Sequence, residues 1–374
     1  MLLYLITFIL CFLVDYSNNN LLKKIYTVWL YVFLCFGYTV GSDWRNYELS
    51  YSLGFHGLQQ EYQLSVLYNI ITSIFYKSGI CYWLYTGIFK CLFLYSVIST
   101  IRIFTNRVFS AIAFALPSIL LFMLIDCPFR FMMGLMFLLF AFRYLVYGRM
   151  KLSIILIFFG ALTHFAVGIM GVLMLILFLI KNIISQMSSL LLLMLLLTST
   201  VLSMSLTTFS NLADVLIAVL PVLESRAMTY YAVEATDGWL TLGTIMNLFL
   251  FCVLLSARSY LLKIPYGNYL FSGAVLQKVL FPLLLIIPTG FRFNMLFSIL
   301  STIAIASICF TSANLTTVKY KYRPIVLCIM LLFNVYSYCG SIYNHFVYLP
   351  YTNSIPHLLV GDSDENYNER SRRG

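Results

Sequence analysis

Residues 190–197 read LLLLMLLL. No winding of that segment gives it a polar face, so it must lie in lipid or in protein on every side. Similar runs recur along the chain. In hydrocarbon a segment has to satisfy its own backbone hydrogen bonds, which leaves helices and closed barrels. Barrel strands alternate apolar and polar residues, and these runs do not. Composition agrees. Hydrophobic residues make up 61% of the 374 positions and charged residues 10%, against about 45–50% and about 25% in soluble domains. An ordinary soluble domain is excluded, and so is disorder. The reading is an all-α, polytopic membrane protein.

A crossing helix takes about 20 apolar residues. Candidate spans fall at 25–41, 79–100, 108–125, 129–147, 185–207, 239–262, 268–288, 291–312 and 324–340, with 1–14 as a short first span. That first stretch lacks a basic leader and a small-residue cleavage site, so it reads as retained. The stretch 152–180 is too long for one upright helix and suits two short ones. Gly160, Thr163, His164 and Gly168 sit where the break would fall. The expectation is about 12 transmembrane helices, within a range of 10–12, forming one membrane domain over residues 1–351. A polar tail follows over 352–374.

Charge decides the orientation. With twelve spans, Lys23, Lys24, Arg102, Arg107, Arg143, Arg149, Lys151, Lys181, Arg258, Lys263, Lys319, Lys321 and Arg323 share one side. The opposite loops hold Arg45, Lys77, Arg130, Arg226 and Arg292. The positive-inside rule makes the first side cytoplasmic. It also accounts for the net charge of +10 without nucleic acid as a partner. Two long loops, 42–78 and 208–238, then face outward. Part of each, near 64–76 and 213–223, has the pattern of a short interfacial helix. Among acids before the tail, only Asp15 is cytoplasmic. Nine dispersed cysteines without a C-x-x-C pair argue against a disulfide framework. The four histidines lack ligand spacing, so no metal and no cofactor is expected.

The chemistry-bearing residues gather on the outer side. Arg130 and Arg292 open spans between aromatic neighbours, and Arg45 and Arg226 lie in the outer loops. Guanidinium offers paired donors to phosphate and stays charged; interfacial snorkelling or pairing with Asp126 is the plainer alternative. His164, at the proposed turn, suits a general base or a cap on a broken helix. Asp43, Trp44, Arg45 and Tyr47 stand together where the second span ends. A carboxylate beside aromatic rings binds sugars and can deprotonate a hydroxyl; capping a loop and joining an aromatic belt is the alternative. Arg226 and Tyr230 are one helical turn apart. Tyr348, Pro350 and Tyr351 follow the last span. Lys90 and Lys278 fall inside spans.

The order of these features resembles the EpsG-like family, to which many Wzy O-antigen polymerases are similar. It runs Gly41-x-Asp43 with Tyr47, Arg130, His164, Arg226 with Tyr230, Arg292, then Tyr348-x-Pro350-Tyr351, and covers roughly residues 1–351. The family often has Gln after the mid-chain Arg, where this chain has Phe131. The resemblance implies a metal-independent glycosyltransferase of the bacterial inner membrane. Such an enzyme moves a growing glycan from undecaprenyl diphosphate to an incoming undecaprenyl-diphosphate-linked repeat unit at the periplasmic face. On that reading Arg130, Arg226 and Arg292 take the diphosphate and Asp43 or His164 activates the hydroxyl. Trp44, Tyr47 and Tyr230 contact sugar, with Arg45 and Tyr348 as further substrate contacts. A chain-length regulator is an expected partner. A lipid-linked oligosaccharide flippase and an O-antigen-ligase-like transferase are the alternatives. A transporter would place its polar groups near the midplane in repeated halves.

Overall fold

The apolar runs become helices in the computed structural model, which describes residues 2–17, 19–40, 43–53, 65–208, 242–284, 290–310, 322–344 and 351–360. The first part of the chain holds α1 (Leu2–Tyr16), α2 (Asn20–Cys35), α3 (Trp44–Ser52), α4 (Val66–Lys77) and α5 (Tyr82–Phe104). It continues with α6 (Val108–Ala115), a π-helical segment (Leu116–Asp126), α7 (Phe129–Val146), α8 (Met150–Thr163) and α9 (Phe165–Gln186). Then come α10 (Ser189–Thr208), α11 (Leu242–Ser256), α12 (Arg258–Leu261), α13 (Gly267–Leu284) and a 3₁₀ turn (Gly290–Asn294). The chain closes with α14 (Met295–Phe310), α15 (Arg323–Asn344) and α16 (Ser354–Val360). Among the described residues the only β pairing is one isolated bridge, Gly37 to Asn353.

Among the described residues five helices are long and apolar enough to cross a membrane: Tyr82–Phe104, Phe129–Val146, Phe165–Gln186, Arg292–Phe310 and Arg323–Gly340. A sixth follows if Val108–Ala115 and Ile119–Asp126 count as one span, bent by 73°. Four more apolar helices, Leu2–Tyr16, Met150–Thr163, Ser189–Ser203 and Leu242–Ser256, are shorter. The bend has a local cause. Pro117 has no N–H for the carbonyl one turn back and its ring crowds that carbonyl, and the backbone widens there into π geometry. Exposed faces are apolar. Along α9 the exposed stripe is Phe165, Ile169, Val172, Ile176, Leu179 and Ile183, a helical-period seam suited to lipid.

The chain forms two compact units, Met1–Leu175 with Ala306–Gly374, and Ile176–Ile305. In the first, α7 and α8 cross on glycine. A Cβ at Gly134 would stand 2.6 Å from Val167 Cγ2 and 2.7 Å from Thr163 Oγ1, and one at Gly160 would stand 3.1 Å from the Gly134 carbonyl oxygen. Small residues permit this close backbone approach between membrane helices.

Helix ends explain several polar residues. Asp15, 3% exposed, accepts from the Ser110 backbone N–H at 3.0 Å and its hydroxyl at 2.6 Å. It thus caps the N-terminus of α6 from another helix, where a carboxylate is favoured. That role accounts for the one acid expected on the basic side. Basic residues do the converse at C-termini, whose last carbonyls lack intrahelical donors. Arg107 donates to the Asp15 carbonyl at the end of α1 at 2.5 Å. Arg323 donates to the Cys309 carbonyl at the end of α14 at 2.7 Å. In the second unit Arg258 donates to the Ser185 and Met187 carbonyls at the end of α9.

The 351–354 segment acts as a staple within the first unit. The Tyr351 hydroxyl donates to the Phe33 carbonyl at 2.7 Å, and Asn353 Nδ2 to the Val32 carbonyl at 2.9 Å. Backbone bonds Tyr38 N–H to Thr352 O and Ser354 N–H to Phe36 O complete it. It satisfies the open end of α2 and fixes the stretch that leads to Asp43. Of the expected tail, 352–360 is thus paired or helical, and 361–374 lies outside the described residues.

Candidate functional site

The helix expected near 64–76 is α4, and the expected break in 152–180 falls at His164, between α8 and α9. These turns meet α3 and the start of α7 at one end of the first unit. The helix α3 buries Trp44, Tyr47, Ser50 and Tyr51 along one face and leaves Arg45 exposed on another. Tyr47 packs edge-on against Tyr68 and Phe129 with ring centroids 6.3 and 6.1 Å apart. Trp44 lies 5.7 Å from Trp83, and Tyr82 donates to its carbonyl at 3.3 Å. Tyr51 and Tyr85 stack at 5.4 Å. Tyr47, Tyr51, Tyr68, Tyr82 and Tyr85 thus build an aromatic wall around this end.

Arg130 stands in the first turn of α7. Its guanidinium donates to Ser65 Oγ at 3.1 Å and hydrogen-bonds the Tyr47 phenol. Burial pushes the Tyr47 phenol up from its ordinary value; the Arg130 guanidinium opposes that and the Asp43 carboxylate adds to it. At neutral pH Tyr47 is therefore a neutral phenol that accepts from Arg130 and keeps its own proton. Asp43 opens α3 but its carboxylate makes no capping bond to that helix. It acts instead on Tyr47 and on the thiol of Cys127.

Cys127 is the turn that aims Arg130. Its φ of 57° places a non-glycine residue in the left-handed region, a conformation costing about 1–2 kcal/mol. The thiol is pushed up to about 11 by burial, with Lys90 opposing and Asp43 and Asp126 adding to the rise. It is protonated at neutral pH, so it is no nucleophile. Lys90, 5% exposed, is the charge near that thiol that opposes the rise. The nearness of Lys90 to Cys127 and the role of Ser65 are not evident from sequence. The intramembrane lysine is the one available signal for the first; for Ser65 there is none.

His164 has extended backbone, and its Nδ1 accepts the Ala166 N–H at 3.2 Å. That contact favours the neutral tautomer with its proton on Nε2. The ring packs edge-on against Phe131 at 5.3 Å. Phe131, next to Arg130 in α7, thus packs that turn of the helix against His164.

The structure brings Asp43, Trp44, Tyr47, Arg130 and, through Phe131, His164 to one end of the first unit. Arg45 is on α3 but on a different face. Arg292 belongs to the second unit, in the 3₁₀ turn that packs against α13 through Asn294, whose Nδ2 donates to the Gln277 carbonyl at 3.1 Å. Arg226, Tyr230 and Tyr348 lie outside the described residues, as does the 213–223 segment.

Carboxylate, phenol and guanidinium thus stand together at one end of an apolar helical array of the kind that spans a membrane. The family match makes the class specific: the EpsG family model covers residues 20–353, and the chain belongs to that family. No curated protein and no solved structure matches it.

Proposed function

We propose that the protein is a polysaccharide polymerase of the O-antigen or capsule type. It transfers the growing glycan from undecaprenyl diphosphate to an incoming undecaprenyl-diphosphate-linked repeat unit. On this reading the chain crosses the inner membrane twelve times, with loops 42–78 and 208–238 and the site facing the periplasm. The observation that carries it is the Asp43–Tyr47–Arg130 cluster in a chain of the EpsG family.

The acceptor hydroxyl attacks the anomeric carbon of the growing chain, and the bond from that carbon to the diphosphate oxygen breaks. Asp43 takes the hydroxyl proton. Arg130, held by Ser65 and Tyr47, meets the charge that develops on the leaving diphosphate; for Arg226 and Arg292 a phosphate-binding role rests on the order of residues in the sequence alone. Fixed donors aimed at developing charge are the strongest single contribution available to such a site. Trp44 and Tyr230 cover sugar faces, and Arg45 and Tyr348 add contacts to the glycan. His164 orders the turn beside the site and donates from Nε2.

The test is a strain lacking the gene, with its surface polysaccharide run on a gel. A product of one repeat unit, restored to a ladder by a plasmid copy, supports polymerase. Loss of even the single unit points to export or ligation and rejects it.

A further inference from the structure

The contacts of the 351–354 segment converge on Tyr38. The Tyr38 N–H donates to the Thr352 carbonyl at 2.9 Å, and the Tyr38 carbonyl accepts from the Thr352 hydroxyl. Two residues earlier, the Phe36 carbonyl accepts from the Ser354 N–H at 2.7 Å. Both backbone groups of Tyr38 are thus fixed by a residue 314 positions away. The next residue, Thr39, stands at a φ of 50°. A β-branched residue is an outlier in that region, and such a conformation persists where the surrounding structure over-determines it. Here the bonds to Thr352 and Ser354 fix the residues on its N-terminal side.

The Tyr38 side chain carries the constraint onward. Its ring lies 4.6 Å from that of Trp83, and Trp83 lies 5.7 Å from Trp44. Trp83 follows Tyr82 in the first turn of α5, and the Tyr82 hydroxyl donates to the Trp44 carbonyl at 3.3 Å. The start of α5 therefore holds Trp44 by ring and by backbone. Trp44 is the first residue of α3, directly after Asp43. Tyr38 and Trp44 are each 4% exposed, and a close-packed interior passes a displacement from one ring to the next.

We propose that residues 351–354 are a positioning strap for Asp43, acting through Tyr38, Trp83 and Trp44. The start of α3 is set while the C-terminal segment is docked on the end of α2. Tyr38, Trp83 and the strap touch no reacting atom; they are positioning residues. The consequence for turnover rests on the polymerase reading, and the coupling of the strap to Trp44 stands apart from it.

The test uses the full chain in nanodiscs, labelled with 5-fluorotryptophan. The chain has four tryptophans, and the line lost in Trp44→Phe assigns that residue. Ser354→Pro removes the N–H that reaches the Phe36 carbonyl, yet suits the first position of α16, where proline is favoured. Tyr38→Ala removes the ring from Trp83, and Tyr38→Phe keeps it. Ser354→Pro and Tyr38→Ala are each expected to shift or broaden the Trp44 line, and Tyr38→Phe to leave it in place. With purified lipid-linked repeat units, Tyr38→Ala should lower kcat about tenfold or more with KM within about twofold, since a misplacement of about 1 Å costs about 10²-fold. Tyr38→Phe should restore kcat. A lower melting temperature with the Trp44 line unmoved in both variants would make the strap a stabilising contact only, and overturns the inference. A shifted Trp44 line with the parent kcat overturns the positioning of Asp43. A shifted line in a protein whose parent makes no polymer refutes the polymerase and leaves the coupling standing.

Discussion

Arg130→Ala is the perturbation with the largest expected effect. The guanidinium is held by Ser65 at 3.1 Å and by Tyr47, so it stands in one orientation before any substrate arrives. Removing one such fixed donor from a site of developing charge costs about 2.7–4 kcal/mol, or about 10²–10³ in rate. Folding loses the bonds to Ser65 and to Tyr47, each about 1.5–3 kcal/mol for a charged donor, so stability is read separately from rate. Arg130→Lys keeps the charge but not the planar fork, and one ammonium does not reproduce both contacts; a loss of about tenfold is expected, one charge-assisted bond. The assay is polymer formation from purified lipid-linked repeat units, alongside thermal unfolding. Polymerisation by Arg130→Ala within about threefold of the parent, less than 1 kcal/mol, would refute the assignment of the diphosphate to this end of the unit.

Further outcomes follow from the same contacts. His164→Asn retains an acceptor for the Ala166 N–H and should keep most activity, whereas a general base would be lost; His164→Ala should cost about 1 kcal/mol of stability, the worth of a cap. Gly134→Ala forces a Cβ against Val167 and Thr163 and should destabilise by about 1–3 kcal/mol, read by thermal unfolding. Asn247 Nδ2 donates at 3.0 Å to the Lys278 carbonyl, for which Pro282, four residues on, has no N–H. Asn247→Ala should cost about 1 kcal/mol through the orphaned Lys278 carbonyl, and much less in a Pro282→Ala background, where the helix supplies its own donor. Burial pushes the phenols of Tyr51 and Tyr351 up to about 12. The unfolded chain loses these protons near pH 10 while the folded one keeps them, so stability should be level below about pH 10 and fall between about pH 10 and 12. Tyr351→Phe should reduce that slope in an alkaline unfolding series.

What sequence makes legible here is local. The break at His164 shows as an apolar stretch too long for one helix with glycine at its centre. The cluster shows as Asp43, Tyr47 and Arg130, each unusual for its place. The rest depends on contacts with no local signature. Tyr351 pairs with Phe33 across 318 residues, and nothing near either announces it. Asp15 reads as an isolated acid until the N-terminus of α6 arrives beside it. Pro117 announces a disturbance but not a 73° bend. Residue type leaves His164 open as base or cap; its Nδ1 contact with the Ala166 N–H is visible only in three dimensions.

The most direct measurement reconstitutes the purified protein in liposomes with undecaprenyl-diphosphate-linked repeat units and no nucleotide sugar. Polymer and free undecaprenyl diphosphate should appear together, one diphosphate for each linkage, and Asp43→Asn should abolish both. Repeat units left unjoined by the parent protein, or moved intact across the bilayer, would contradict glycan transfer at the Asp43–Tyr47–Arg130 cluster.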